Sequence, residues 1–407
     1  MFLKITSLSL ITIMTLSFVS CSNDDENITP TAPNPSLGYT VPDSYTFARN
    51  GNTTVDFSGQ STRILMLDEM SNYVKIQATT SLVVDNAKLQ SMYTNTNNAF
   101  TNSALNTSGK QLKDKTAASK DYFNLYFGGG SITEQMAVRT FLESTFTNMN
   151  TASQGNNASI GIAGKYGSGA STRYFSANGL EPVQVFLKGT IGATILDQVV
   201  NNYLSINKLD EGTTKTDNTN KILDGTTNST KMEHFWDEAY GYVFGASGDK
   251  FLSEYITKVN ADVDFNTIKA DVSLAFRKGR AAIVANDYVT RDAQIDIIKQ
   301  KLAVVVAVRS VFYMQTGKSK LITDSGAAAF HDLSEGYGFI MSLRYTNKPG
   351  TNNPYFTKSE VDAMLTSLTS GSNGLWNIDT LGPKLDNISS QIAIKFGFTV
   401  AQEAIVN

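Results

Sequence analysis

The residues best suited to chemistry stand in two matching stretches. "HFWDEAYGYVFG" runs from His234 to Gly245, and "HDLSEGYGFIMS" begins at His331. These are the only two histidines in the chain. Each is followed by Glu four residues on (Glu238, Glu335) and then by Tyr-Gly-aromatic. On a helix, residues four apart share one face. An imidazole and a carboxylate so placed can bind one metal ion or form an oriented polar pair, and facing helices in bundles build metal sites this way. Acids fill 37 of 407 positions, so an acid at the same offset from both histidines points to an internal duplication. Asp237 adds a carboxylate at the third position of the first copy, where the second has Ser334. The metal-ligand set read from the pattern is His234, Asp237, Glu238, His331 and Glu335, mixed nitrogen and oxygen donors that suit iron or zinc. The same pairs also read as satisfied polar contacts in an aromatic core, beside Trp236, Tyr240 and Phe244.

A third stretch, "GLEPVQVFLKGTIGA", carries Glu181, Gln184 and Lys188 on one face of an apolar helix. These form a candidate cofactor-binding wall, and Gly189 and Gly192 allow another backbone close. The glycine-rich stretch 151–173 fails as a phosphate loop, because Lys165 is followed by Tyr166. It reads as a packed or substrate-covering loop.

The elements that must position these residues are mostly helices. Apolar residues recur at three- and four-residue spacing in 63–77 and 133–149, the second with Thr133 as a cap. Residues 178–204 open with Asn178 and Pro182. Long helices are expected over 264–288 and 291–317, the last ended by Gly317. "YTFARNGNTTVDF" alternates around Asn50-Gly51 and predicts a short hairpin. Residues 207–230 read as an exposed insertion. The fold expected is mainly α, a duplicated helical bundle with a small N-terminal β-hairpin, its pseudo-repeated halves about 39–248 and 249–407.

The N-terminus has one early lysine, an apolar run and small residues before Cys21, the sole cysteine. That is an export signal over residues 1–20, and Cys21 resembles a bacterial lipoprotein acylation site. Residues 21–38 are an acidic, Pro-rich tether. Asp24, Asp25 and Glu26 are similar to the signal that sends Bacteroidota lipoproteins to the outer face of the outer membrane. The expected partners are that membrane, through the lipid anchor, and a metal ion or metal complex, with any protein partner unspecified. A net charge of -3 gives no footprint for nucleic acid.

Together, the lone cysteine, "FSGQSTRILMLDEMSNYV", "GLEPVQVFLKGTIGA" and "EHFWDEAYGYVFG" resemble an uncharacterised Bacteroidota lipoprotein family, a domain of unknown function. More distantly, the duplicated His–carboxylate helices are similar to imelysin-like proteins. That resemblance implies an all-helical exported fold and iron handling or a peptidase activity. The imelysin-like pattern is Gly-x-His-x-x-Glu; here Met232 and Ala329 stand two before each histidine. The function expected is metal or iron-complex binding. The alternatives are a metal-dependent hydrolase or peptidase-like enzyme, and a non-catalytic interaction module with structural His–Glu pairs. HExxH and a three-histidine site are both absent.

Overall fold

Asn50 and Gly51 both take positive φ, 51° and 80°, as a two-residue hairpin turn requires. They join β1 (Ala48–Arg49) to β2 (Asn52–Thr53) in the expected N-terminal hairpin. The computed structural model describes residues 37–126, 132–167, 169–323 and 326–403. The signal segment, Cys21 and the tether up to residue 36 lie outside the described residues. Tyr39–Asn407 forms one unit by its contacts.

Most of the remaining described residues are helical, with irregular connections and a second small hairpin. In chain order the α-helices are α1 (Ser58–Thr79), α2 (Asn86–Thr94), α3 (Ser103–Asn106), α4 (Ile132–Ala152), α5 (Pro182–Thr190), α6 (Ile206–Leu209) and α7 (Thr214–Thr219). There follow α8 (Lys231–Phe244), α9 (Leu252–Asn260), α10 (Ile268–Ala285), α11 (Tyr288–Thr323), α12 (Ala327–Ser342), α13 (Lys358–Thr369) and α14 (Ile378–Phe396). β3 (Gly164–Tyr166) pairs antiparallel with β4 (Arg173–Phe175), Lys165 opposite Tyr174. Three-residue strands in a glycine-rich stretch leave too little alternation to read as strands. None of the described helices is long and apolar enough to cross a membrane.

Several boundaries differ from expectation for local reasons. Thr133 lies inside the first turn of α4, which already includes Ile132. Asn178 is not the cap of α5. Pro182 takes its first position and Glu181 its N-cap, with no capping bond from the Glu181 side chain. The carboxylate is thus free for another partner. Gly317 does not end α11, which continues to Thr323. A Cβ there would come within 2.6 Å of the Leu333 side chain, so this glycine admits a neighbouring helix instead. Residues 207–230 are largely exposed, as expected of an insertion, yet anchored at a few buried positions. Asn218 is buried, donates to the Ile283 carbonyl and accepts from the Thr230 hydroxyl. Thr230 in turn caps α8 in a reciprocal box with Glu233, which fixes where the first motif helix begins.

The buried apolar side chains form one cluster spanning most of these elements. The two motif helices enter it in the same manner. Seven residues after each histidine comes a glycine at a helix crossing. A Cβ on Gly241 would lie 2.3 Å from Phe57 Cβ, and one on Gly338 would lie 2.5 Å from Lys188 Cβ. The repeated glycine of the Tyr-Gly-aromatic tail is therefore a close-packing device, as a duplicated bundle would retain. The two halves are interlocked: α12, after residue 248, packs on α5, before it.

Candidate functional site

The second motif is assembled from two helices and a hairpin. His331 stands on the cavity side of α12. Its Nδ1 lies 2.6 Å from Glu181 Oε2 at the start of α5. A carboxylate only accepts, so Nδ1 carries the proton and Nε2 is left for something else. Ser334, in the place of the missing acid, accepts from the Glu181 backbone N–H at 2.7 Å and so locks the end of α5 against α12. Glu335 lies beyond, with Oε1 3.9 Å from His331 Nε2 and 2.8 Å from Lys188 Nζ. The Lys188 carbonyl accepts from Ser342 at 2.8 Å, which together with Gly338 fixes the lysine's position. On the other side Arg173 of β4 approaches Glu181 at 3.6 Å.

The result is a chain of alternating charge, Arg173–Glu181–His331–Glu335–Lys188, whose first four members line a cavity of about 310 Å³ while Lys188 backs Glu335. Burial by itself would lower the His331 pKa, but the Glu181 carboxylate outweighs it and the net shift is upward. Burial would raise Glu335, yet Lys188 and then His331 hold it down at about 2. Lys188 is likewise raised, the Glu335 carboxylate overriding desolvation. The buried pair stays ionised because the opposite charge at 2.8 Å offsets the desolvation of each member.

The profile described as "Domain of unknown function (DUF4856)" matches residues 42–399. The chain belongs to the DUF4856 family. That bears out the expected kinship with a domain of unknown function and brings no assigned activity. No curated protein and no solved structure matches.

In this DUF4856 domain the first motif builds a different site. His234 Nε2 lies 4.0 Å from Glu238 Oε2, and the other Glu238 oxygen accepts from Gln60 at 2.8 Å. Both line a separate cavity of about 260 Å³ with Asp56, Arg63, Asp114 and Lys115. Asp237 does not face it. Fully buried, it accepts from Arg280 Nε at 2.9 Å and from the Tyr45 hydroxyl at 2.7 Å. Glu233 completes that cluster, 3.4 Å from Arg280 and 2.8 Å from Arg49. Burial pushes the Asp237 carboxyl up against the pull of Arg280. With its charge taken by arginine, Asp237 has little to offer a metal, which leaves His234 and Glu238 as the donors of this motif.

The two cavities share no lining residue. The first half of α1 lines one through Ser58–Arg63 and the second half lines the other through Ser71–Thr79. From Gln60 to Lys75 the helix rises about 22 Å at 1.5 Å per residue. The motifs therefore cannot hold one ion between them.

Fit to a metal differs between the motifs. Among the described residues, three metal-type side chains converge at His331, Asp332 and Glu335, with donor atoms within 4.8 Å of one another. Asp332 is engaged by Lys320 at 2.6 Å. His331 Nε2 and Glu335 suit a shared ion, since two bonds of about 2.0–2.2 Å span their separation. Of the polar stripe read from the sequence, Glu181 and Gln184 line the same cavity as His331, and Lys188 lies behind them, paired with Glu335. Arg173 and Lys75 carried no functional expectation. Lys75 lies between Ser71 and Thr79 at four-residue spacing, and all three line the cavity from α1.

Proposed function

We propose that this protein captures a metal ion or metal complex through His331, with Glu335 as second donor and Glu181 fixing the ring. The observation that carries the reading is the 2.6 Å bond from His331 Nδ1 to Glu181. A metal-ligating imidazole regularly gives its other N–H to a carboxylate, which sets the tautomer and raises the basicity of the ligating nitrogen. Here that partner is buried, built into a helix start and backed by Arg173. Iron and zinc both suit an imidazole–carboxylate pair. With one imidazole per cavity, hydrolase chemistry on several histidines has no place to assemble, so capture is favoured over catalysis.

In the same reading Cys21 carries the lipid that anchors the chain to the outer membrane, with the helical domain displayed at the surface. The imelysin-like kinship rests on the repeated His–carboxylate helices. The deciding experiment uses the soluble form starting at Ser22. Metal content by plasma mass spectrometry and titration of metal-free protein should give one site in the parent, lost in His331→Ala. A parent that takes up no metal, or a folded His331→Ala that keeps the parent's metal, ends the reading. Incorporation of labelled palmitate into the parent and not into Cys21→Ser checks the anchor separately.

A further inference from the structure

We infer that the ligand of the His331 cavity is an anionic metal chelate, a metal already wrapped by a small carboxylate-rich molecule. The inference rests on the proposed metal reading and names the chemical form in which the metal arrives. Two observations carry it: the charge of the walls and the geometry of the groups left unspent.

The cavity is lined by two cations, Lys75 and Arg173, and two carboxylates, Glu181 and Glu335. Lys188 stands behind the wall and neutralises Glu335, which leaves Lys75 and Arg173 facing the space against Glu181 alone. Glu335 is the donor a bare dication would need most, and it is the one most fully neutralised, by Lys188 at 2.8 Å with side chains only 9–10% exposed. A second cation on that carboxylate would meet the ammonium at short range in a partly desolvated site. With that carboxylate already neutralised and Lys75 and Arg173 on the wall, the cavity favours an anionic chelate over an aqua dication.

The unspent groups are suited to such a ligand. Arg173 touches Glu181 only at 3.6 Å, and its side chain is about one-third exposed. Its planar fork is free to take a carboxylate through two parallel hydrogen bonds. Lys75 has no carboxylate within ion-pair distance among the described residues, and it lines the same space from α1. His331 Nε2 offers a single nitrogen to an open coordination position. The division of labour is then plain: the imidazole takes the metal while Arg173 and Lys75 take the chelator's oxygens. At about 310 Å³ the cavity lies at the lower end of ligand pockets, which selects a small chelate over a macrocycle.

The test is calorimetric titration of the metal-free soluble chain with three probes: ferric citrate, citrate alone and zinc ion. The parent should bind ferric citrate most tightly. Loss of a charge-assisted contact in Lys75→Gln or Arg173→Gln should weaken that binding about tenfold or more, while zinc affinity stays level or rises. Lys75 is exposed, so its substitution leaves the fold intact, checked by circular dichroism. Zinc bound more tightly than the chelate, and weakened by neither substitution, would overturn the inference and leave metal capture standing. Citrate bound as well as its ferric complex and unaffected by His331→Ala would overturn it as well, since no metal would then be read. A parent that binds none of the three overturns both this inference and the metal reading beneath it.

Discussion

Lys188 and Glu335 show how much a site can depend on one missing carbon. Gly338 has no Cβ, and that alone lets α12 approach Lys188 closely enough for the ion pair. Gly338→Ala should cost about 1–3 kcal/mol through overpacking, read as a lowered midpoint in denaturant. It should also weaken ligand binding, since α12 must shift to clear the lysine; unchanged stability would show that the crossing is looser than drawn. Arg280 poses a sharper problem. It is fully buried between Glu233 and Asp237. Arg280→Met strands the buried Asp237 carboxylate, while Glu233 keeps Arg49, and should destabilise by about 3–5 kcal/mol. A chemical denaturation curve measures this, and a loss under 1 kcal/mol would mean that water reaches the cluster.

At the scale of elements, α1 separates the two motifs. Its ends serve different cavities, so the motif helices act independently. His234→Ala should leave binding at the His331 cavity unchanged, and His331→Ala should abolish it, with affinity measured by titration in each variant. Equal losses in both would show that the motifs are coupled through α1. Trp236 illustrates why α8 sits where it does. Its ring fills the place of a Cβ on Gly279, and its Nε1 donates to the Phe276 carbonyl at 2.9 Å. The pattern of apolar residues made α8 legible as a helix. Which side chains would point at the cavity was not legible, because Asp237 shares a face with His234 in sequence and is claimed by an arginine 43 positions later.

For the whole molecule, one continuous core predicts one cooperative transition for the helical domain, with pH dependence set by its unpaired buried charges. Asp197 is the clearest of these. It is fully buried, bonded to Ser119 and Asn201. Burial, only partly opposed by those bonds, pushes its carboxyl up to about 7 from an ordinary 3.8. A carboxyl raised in the folded state contributes stability in full below about pH 3.8. That contribution is lost as the pH climbs toward 7, because the unfolded chain ionises first. The loss amounts to at most about 4 kcal/mol. Between pH 4 and 7 the stability of the parent relative to Asp197→Asn should therefore fall as pH rises. A difference independent of pH would show that Asp197 keeps an ordinary pKa.

What the chain determined by itself follows from local rules. Helical periodicity, the Asn50-Gly51 turn, Pro182 at a helix start and the His–Glu spacing all act within a few residues, so they read directly from sequence. The polar stripe of Glu181, Gln184 and Lys188 was equally visible, though not its partner. Only the tertiary structure decided that Glu181 meets His331 150 positions away, that Lys188 rather than an incoming ion neutralises Glu335, and that the two motifs occupy separate cavities. Those outcomes depend on which helices cross and how closely. Crossing is set by packing of the whole core around glycines at 241, 279, 317 and 338, a property no short window of sequence contains.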